Sequence, residues 1–190
     1  MATAHFQPIL AICCGVSGSG KSTLAKNLAT QLQWPMVEAD DFHSKLNKQH
    51  MASGKPLNDV MREPWMQSIE SYLQHMHRIG RSCVLAHSGL KKQHRNRLRN
   101  LGFKTVFFHL NGSEELLRDR MNSRNGHFMP SNLLASQIKA FEPIGKEENF
   151  VKLCLSQPLD VATAIAKDTV NILRYGQEVC LISEPVIEVA

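Results

Sequence analysis

Eight consecutive residues near the N-terminus, Gly15-Val16-Ser17-Gly18-Ser19-Gly20-Lys21-Ser22, have the types and spacing that bind phosphate. Their glycines let the backbone wrap phosphate oxygens with N–H groups, an arrangement that side chains would obstruct. Lys21 is placed to reach the terminal phosphates of a bound nucleotide and Ser22 to ligate Mg²⁺. With Thr23 it opens a helix whose N-terminal end adds a positive pole. ATP and Mg²⁺ are the expected cofactors.

A second group is Glu38-Ala39-Asp40-Asp41. Phosphoryl transfer to a hydroxyl needs one carboxylate to orient or deprotonate the nucleophile and others to hold the metal and its waters. Asp40 is the candidate base, with Glu38 or Asp41 supporting metal or substrate; the plainer alternative is that these aspartates cap the next helix. Arg118, Arg120 and Arg124 lead into Gly126-His127-Phe128-Met129-Pro130. Arg120 and Arg124 are four apart on one helix face, suited to neutralising charge on a transferred phosphoryl group as a lid closes. The densest basic run, Lys91 to Arg97, could contact nucleic acid, face solvent or wall an anion pocket. It lacks interleaved aromatics and any nucleic-acid module, so nucleic acid is disfavoured, and Lys91 and Arg95 are the two expected to turn inward. The nine histidines show no metal-ligand spacing. His43, His87 and His127 sit beside candidate functional loops and are read as hydrogen-bonding residues.

The elements that must position these groups follow from periodicity. Ile9–Cys14 is a continuous apolar run, as in a strand buried on both faces, and Leu24, Ala25, Leu28, Ala29 and Leu32 recur at helical spacing. A second strand is expected from Trp34 to Ala39 and an irregular excursion from His43 to Asp59. Pro64 suits the first turn of a helix carrying Trp65, Met66, Ile69, Leu73 and Met76, ending near Gly80. Strands from Ser82 to Ala86, Thr105 to Leu110 and Phe150 to Leu155 then alternate with helices at Lys91–Leu101, Ser113–Ser123, Ser131–Phe141 and Leu159–Leu173. Such alternation implies one α/β domain with a parallel sheet and helices on both faces. Its core is expected over about 8–174, with a lid near 122–131 and a tail, 175–190, of undecided structure.

Composition fits a soluble globular domain: 190 residues, 43% hydrophobic, 21% charged and net charge +5. Five cysteines without a CxxC pair suggest buried thiols in a reducing compartment, and the early apolar stretch is too short to cross a membrane. A cytoplasmic protein without membrane association is the expectation.

With these residues in view, the chain resembles the gluconokinase family, small P-loop kinases of sugar acids. The likeness runs from the P-loop through Asp40-Asp41-Phe42-His43, Gly54-Lys55-Pro56-Leu57-Asn58-Asp59, Arg62-Glu63-Pro64-Trp65 and Ser88-Gly89-Leu90-Lys91-Lys92. It continues through Arg95, Gly126–Pro130 and Ser136-Gln137, covering about residues 10–173. It implies a three-layer, shikimate-kinase-like P-loop kinase fold, transfer of the ATP γ-phosphate to the 6-hydroxyl of gluconate, and a homodimer. Arg62, Lys91 and Arg95 would line an acid-binding pocket, where arginine suits a carboxylate. His43, Asp59, His127 and Gln137 would meet hydroxyls or order loops. The family pattern has Asp at the positions of Glu38, Met61 and Asn96, and Cys, Ala and Tyr at those of His87, Gly89 and His94. These departures leave a kinase of another sugar acid or polyol, or a weakly catalytic nucleotide-binding regulator, as alternatives.

Overall fold

The central strand is β1, Ile9–Cys14, every residue of which is buried. A computed structural model describes residues 7–122, 133–145 and 148–175 of the chain. Four further strands complete one sheet: β2 (Met36–Glu38), β3 (Cys83–Ala86), β4 (Lys104–Asn111) and β5 (Phe150–Cys154). Their order is β2-β3-β1-β4-β5 and all pairings are parallel. The helices are α1 (Lys21–Leu32), α2 (Lys45–Ala52), α3 (Asp59–Arg78), α4 (Lys92–Arg99), α5 (Glu114–Asn122), α6 (Leu133–Ala140) and α7 (Leu159–Tyr175).

Alternation along β1 explains the layers. Ile9, Ala11 and Cys13 pack with Leu24 and Leu28 of α1 and with Ala166 and Val170 of α7. Leu10, Ile12 and Cys14 face the opposite layer, with Met66, Ile69 and Leu73 of α3 and Leu98 of α4. A strand covered on both faces has no reason to alternate polar with apolar, hence the unbroken apolar run. Burial pushes the Cys14 and Cys83 thiols up to about 12, so these are packing residues and poor nucleophiles.

Several expected boundaries move. The excursion after His43 contains α2, capped by Ser44, whose side chain accepts from the Asn47 N–H at 3.1 Å. Helix α3 begins five residues before Pro64, because the Asn58 side chain accepts from the Met61 N–H at 2.9 Å and starts the helix there. Pro64 therefore lies inside the helix. β2 is shorter than the expected Trp34–Ala39, since Ala39–Phe42 turn into a short 3-10 segment. Most of the expected lid and nearly all of the tail lie outside the described residues.

β1 lies between β3 and β4, so the chain leaves it in opposite directions along the sheet. Ligands bind at such switch points, beyond the carboxyl ends of the strands.

Candidate active site

The loop after β1 folds back over that carboxyl end. Gly15 has φ +145°, and a Cβ there would lie 2.8 Å from the Leu110 carbonyl oxygen. Only glycine fits so close to β4. The Gly15 N–H donates to the Ser88 carbonyl at 3.1 Å, tying the loop to the segment after β3. Helix α1 starts behind Gly20 with no side-chain cap and no acidic residue in its first turn. Its N-terminal N–H groups are therefore available to an anion. The Lys21 ammonium donates to the Val16 carbonyl at 3.0 Å, folding over the loop it belongs to. Ser17 and Ser19 are buried in that loop, whereas Thr23 points to solvent.

Glu38 ends β2 beside Ser22, whose hydroxyl donates to its carboxylate; the Asp40 N–H and the Lys21 charge also favour the ionised form. Burial outweighs these and raises the Glu38 pKa above its ordinary value. Ser22 and Glu38 offer hard oxygen donors of the kind Mg²⁺ takes together with phosphate oxygens. No cluster of three or more His, Cys, Asp or Glu side chains suited to a metal exists among the described residues. A cation here would need ligands from the nucleotide and water, as Mg²⁺ normally has.

One pocket opens against this loop. Ser17 and Lys21 form its phosphate-side wall, with Ser136, Gln137 and Ala140 of α6 beside them. Asp40, His43 and Trp65 form a second wall, and Arg62, Ser88, Leu90, Lys91 and His94 a third. Gln137 joins α6 to the P-loop: its carboxamide oxygen accepts from the Ser17 N–H at 2.6 Å and its NH₂ donates to Ser17 Oγ at 3.0 Å. Lys91 Nζ lies 2.6 and 2.8 Å from the two carboxylate oxygens of Asp59, and Arg62 donates to the same group at 3.1 Å. The Lys91 hydrogen bond above all holds the Asp59 carboxyl below its ordinary value. Two cations sharing one carboxylate leave this trio with a formal charge of +1.

Behind the second wall, Trp65 is sandwiched. His43 stacks on one side at 4.6 Å and His87 on the other at 5.0 Å between ring centroids, with His94 edge-on at 6.1 Å. The indole N–H donates to the Ala39 carbonyl at 2.7 Å and anchors α3 to the chain just before Asp40. His43 Nε2 lies 4.0 Å from the Asp40 carboxylate, and its Nδ1 is buried without a partner among the described residues. His87 Nδ1 accepts from the Gly89 N–H at 2.9 Å, which places its proton on Nε2. Burial first, then the positive neighbours, pushes His87 down to about 3; burial likewise lowers His43 and His94 to about 4.

Most expected site residues thus converge: the P-loop, Asp40, His43, Arg62, Lys91 and Gln137 line or close one pocket, with Asp59 bracing two of them. Arg95 is a correction. Its side chain is wholly buried and paired with Glu148, so it does not face the pocket. Arg120 donates to the Leu155 carbonyl at 3.0 Å, beyond the end of β5, and does not line the pocket. Arg124 and His127 lie outside the described residues. The Trp65 stack was not foreseen as a unit. The departures from the family pattern account for part of it: His87 and His94 both pack on Trp65. Gly89, at φ +61°, passes so close to Cys14 that a Cβ would sit 2.8 Å from the cysteine Cβ. Met61 packs with Met51 and Leu57, and Asn96 accepts from Arg99 at 3.2 Å.

A phosphate loop at a switch point, a carboxylate at the next strand end and a cationic pocket between them define a P-loop phosphotransferase. A family model described as an AAA domain matches residues 10–144. A probable gluconokinase of Rattus norvegicus is 39% identical over 177 residues, covering 83% of this chain and 96% of the relative. The thermoresistant gluconokinase of Escherichia coli K12 is 32% identical, covering 93% of this chain and all of the relative. A crystal structure of a gluconokinase from Sinorhizobium meliloti 1021 superposes with a TM-score of 0.78 at 34% identity, covering 90% of this chain and 96% of that one. The chain belongs to the gluconokinase family.

Proposed function

We propose that this protein transfers the γ-phosphoryl group of ATP to the 6-hydroxyl of D-gluconate. One observation carries the reading: a single pocket gathers Lys21, Asp40 and the Arg62–Asp59–Lys91 trio. The trio's surplus positive charge complements one carboxylate, and Arg62 can present two parallel donors to it. Gluconate has a carboxylate at one end and its primary hydroxyl at the other. Held by the trio, it can extend that hydroxyl toward Asp40 while His43, Gln137 and Ser88 offer partners to the hydroxyls between.

The P-loop amides and the α1 N-terminus hold the phosphates, and Lys21 leaves the Val16 carbonyl for the stronger anion. Asp40 accepts the proton of the attacking hydroxyl as its oxygen bonds to the γ-phosphorus and the bond to the bridging oxygen breaks, releasing ADP. Ser22 and Glu38 would hold Mg²⁺, which would neutralise phosphate charge when bound. Neutral His43 beside Asp40 leaves the carboxylate free to take the proton.

The test is an ADP-release assay with gluconate, other aldonates, shikimate and no acceptor. Gluconate-dependent turnover is expected, falling by about 10²–10⁴ in Asp40→Asn. Turnover with a different acceptor alone, or full activity in Asp40→Asn, would overturn the assignment.

A further inference from the structure

Arg95 lies on α4 with no exposed surface, yet its guanidinium is fully employed. Nε donates to Glu148 Oε2 at 2.6 Å and Nη2 to Glu148 Oε1 at 3.1 Å. Nη1 donates to the Gly89 and Leu90 carbonyls at 2.9 and 3.2 Å, and Nη2 also to the Pro143 carbonyl at 3.0 Å. Those five contacts use the five donors a guanidinium has. Glu148 is 3% exposed and also accepts from the Gly145 N–H at 2.9 Å.

The groups it gathers come from two separate segments. Gly89 and Leu90 belong to the loop that carries Ser88 and Lys91 into the pocket, and the Gly15 N–H binds the Ser88 carbonyl. Pro143, Gly145 and Glu148 belong to the chain returning from α6, whose Gln137 holds Ser17. Two further bonds join the same segments: the Glu142 N–H donates to the Leu90 carbonyl at 2.8 Å, and the Lys92 N–H donates to the Glu142 carboxylate. A buried ion pair is seldom the most stabilising choice for a core position, since apolar packing serves as well. What Arg95 supplies, and an apolar residue would not, is a fixed distance between two polar loops.

We propose that Arg95, with Glu148, is a positioning residue for the acceptor: it locks the Ser88–Lys91 loop to the α6 return segment and so sets where Lys91 stands. This rests on the gluconate reading above. Replacing the fork by a single ammonium in Arg95→Lys keeps the charge but cannot serve both loops. Lys91 then loses its bearing, while the phosphate cradle, though tied to these segments through Ser88 and Gln137, keeps its main support on β1 and α1.

The experiment measures steady-state kinetics and amide hydrogen exchange on Arg95→Lys and on Glu148→Gln, the milder change should the first fail to fold. KM for gluconate is expected to rise about tenfold, with KM for ATP changed by less than about twofold. The effect should vanish in a Lys91→Met background, because Arg95 acts through Lys91. Arg97→Ala, on the same helix as Arg95 but paired with Glu63 and Glu70 of α3, should leave both KM values alone. A folded variant with wild-type KM for gluconate, an equal loss for both substrates, or an effect additive with Lys91→Met would overturn the proposal. Should the wild-type protein not turn over gluconate, the functional reading fails and hydrogen exchange decides the coupling alone. Joint loss of protection at the Lys92, Glu142 and Gly145 amides supports it, and unchanged protection refutes it.

Discussion

Acidification should destabilise this protein through His87, and the size of the effect follows from its surroundings. Burial lowers the His87 pKa from 6.5 to about 3 in the folded chain. Between those values the unfolded ring binds a proton that the folded ring refuses, so stability falls as pH falls and is fully present above 6.5. Each pH unit below 6.5 costs about 1.4 kcal/mol, so His87 withdraws about 2 kcal/mol by pH 5. Asparagine at this position does not titrate, yet its side-chain oxygen can accept from the Gly89 N–H as Nδ1 does. Urea unfolding followed by far-UV circular dichroism at pH 8 and pH 5 separates the two proteins. The midpoint of the wild type should drop about 0.7–1 M more than that of His87→Asn over this range. Parallel pH dependence in the two proteins would refute the claim that a neutral imidazole is held against Trp65.

Two substitutions in the phosphate loop should act differently. Lys21→Ala should lower turnover about a thousandfold with a much smaller effect on the melting curve, because the ammonium folds over its own loop carbonyl while its charge serves the transferred phosphoryl group. Near-wild-type rates in that variant would defeat the P-loop assignment. Gly15→Ala should destabilise by about 2–3 kcal/mol, since the new Cβ meets the Leu110 carbonyl at a φ that alanine rarely adopts. It should also abolish the thermal shift that ATP produces, and an alanine variant that melts and binds like the wild type would show that the loop relaxes freely.

The sequence made the phosphate end of the site legible because its determinants are local. A six-residue apolar run, a glycine loop and helical spacing from Leu24 to Leu32 all lie within 25 residues. The place of Asp40 on the pocket wall was readable for the same reason, since it stands just past a short strand. The acceptor side was less so. Arg95 was expected to turn inward and line the pocket, and nothing near it signals that Glu148, 53 residues on, will bury it instead. The Trp65 stack draws on the chain after β2, on α3, on the loop after β3 and on α4, so its members share no spacing. Pro64 suggested a helix start, but the Asn58 cap sets it five residues earlier, and the carbonyl that Pro64 leaves without a donor belongs to Val60, an exposed residue.

The strand order also has a consequence for biogenesis. Leu10 of β1 pairs with Cys83 and Thr105, so the most apolar strand has no partner within 70 residues of itself. During synthesis Ile-Leu-Ala-Ile-Cys-Cys emerges long before β3, which covers one edge, and longer still before β4, which covers the other. Such long-range parallel pairing folds slowly and leaves a β-prone segment open to intermolecular pairing. Yield in a heterologous host should therefore respond to growth temperature and chaperone supply more strongly than the stability of the finished fold would suggest.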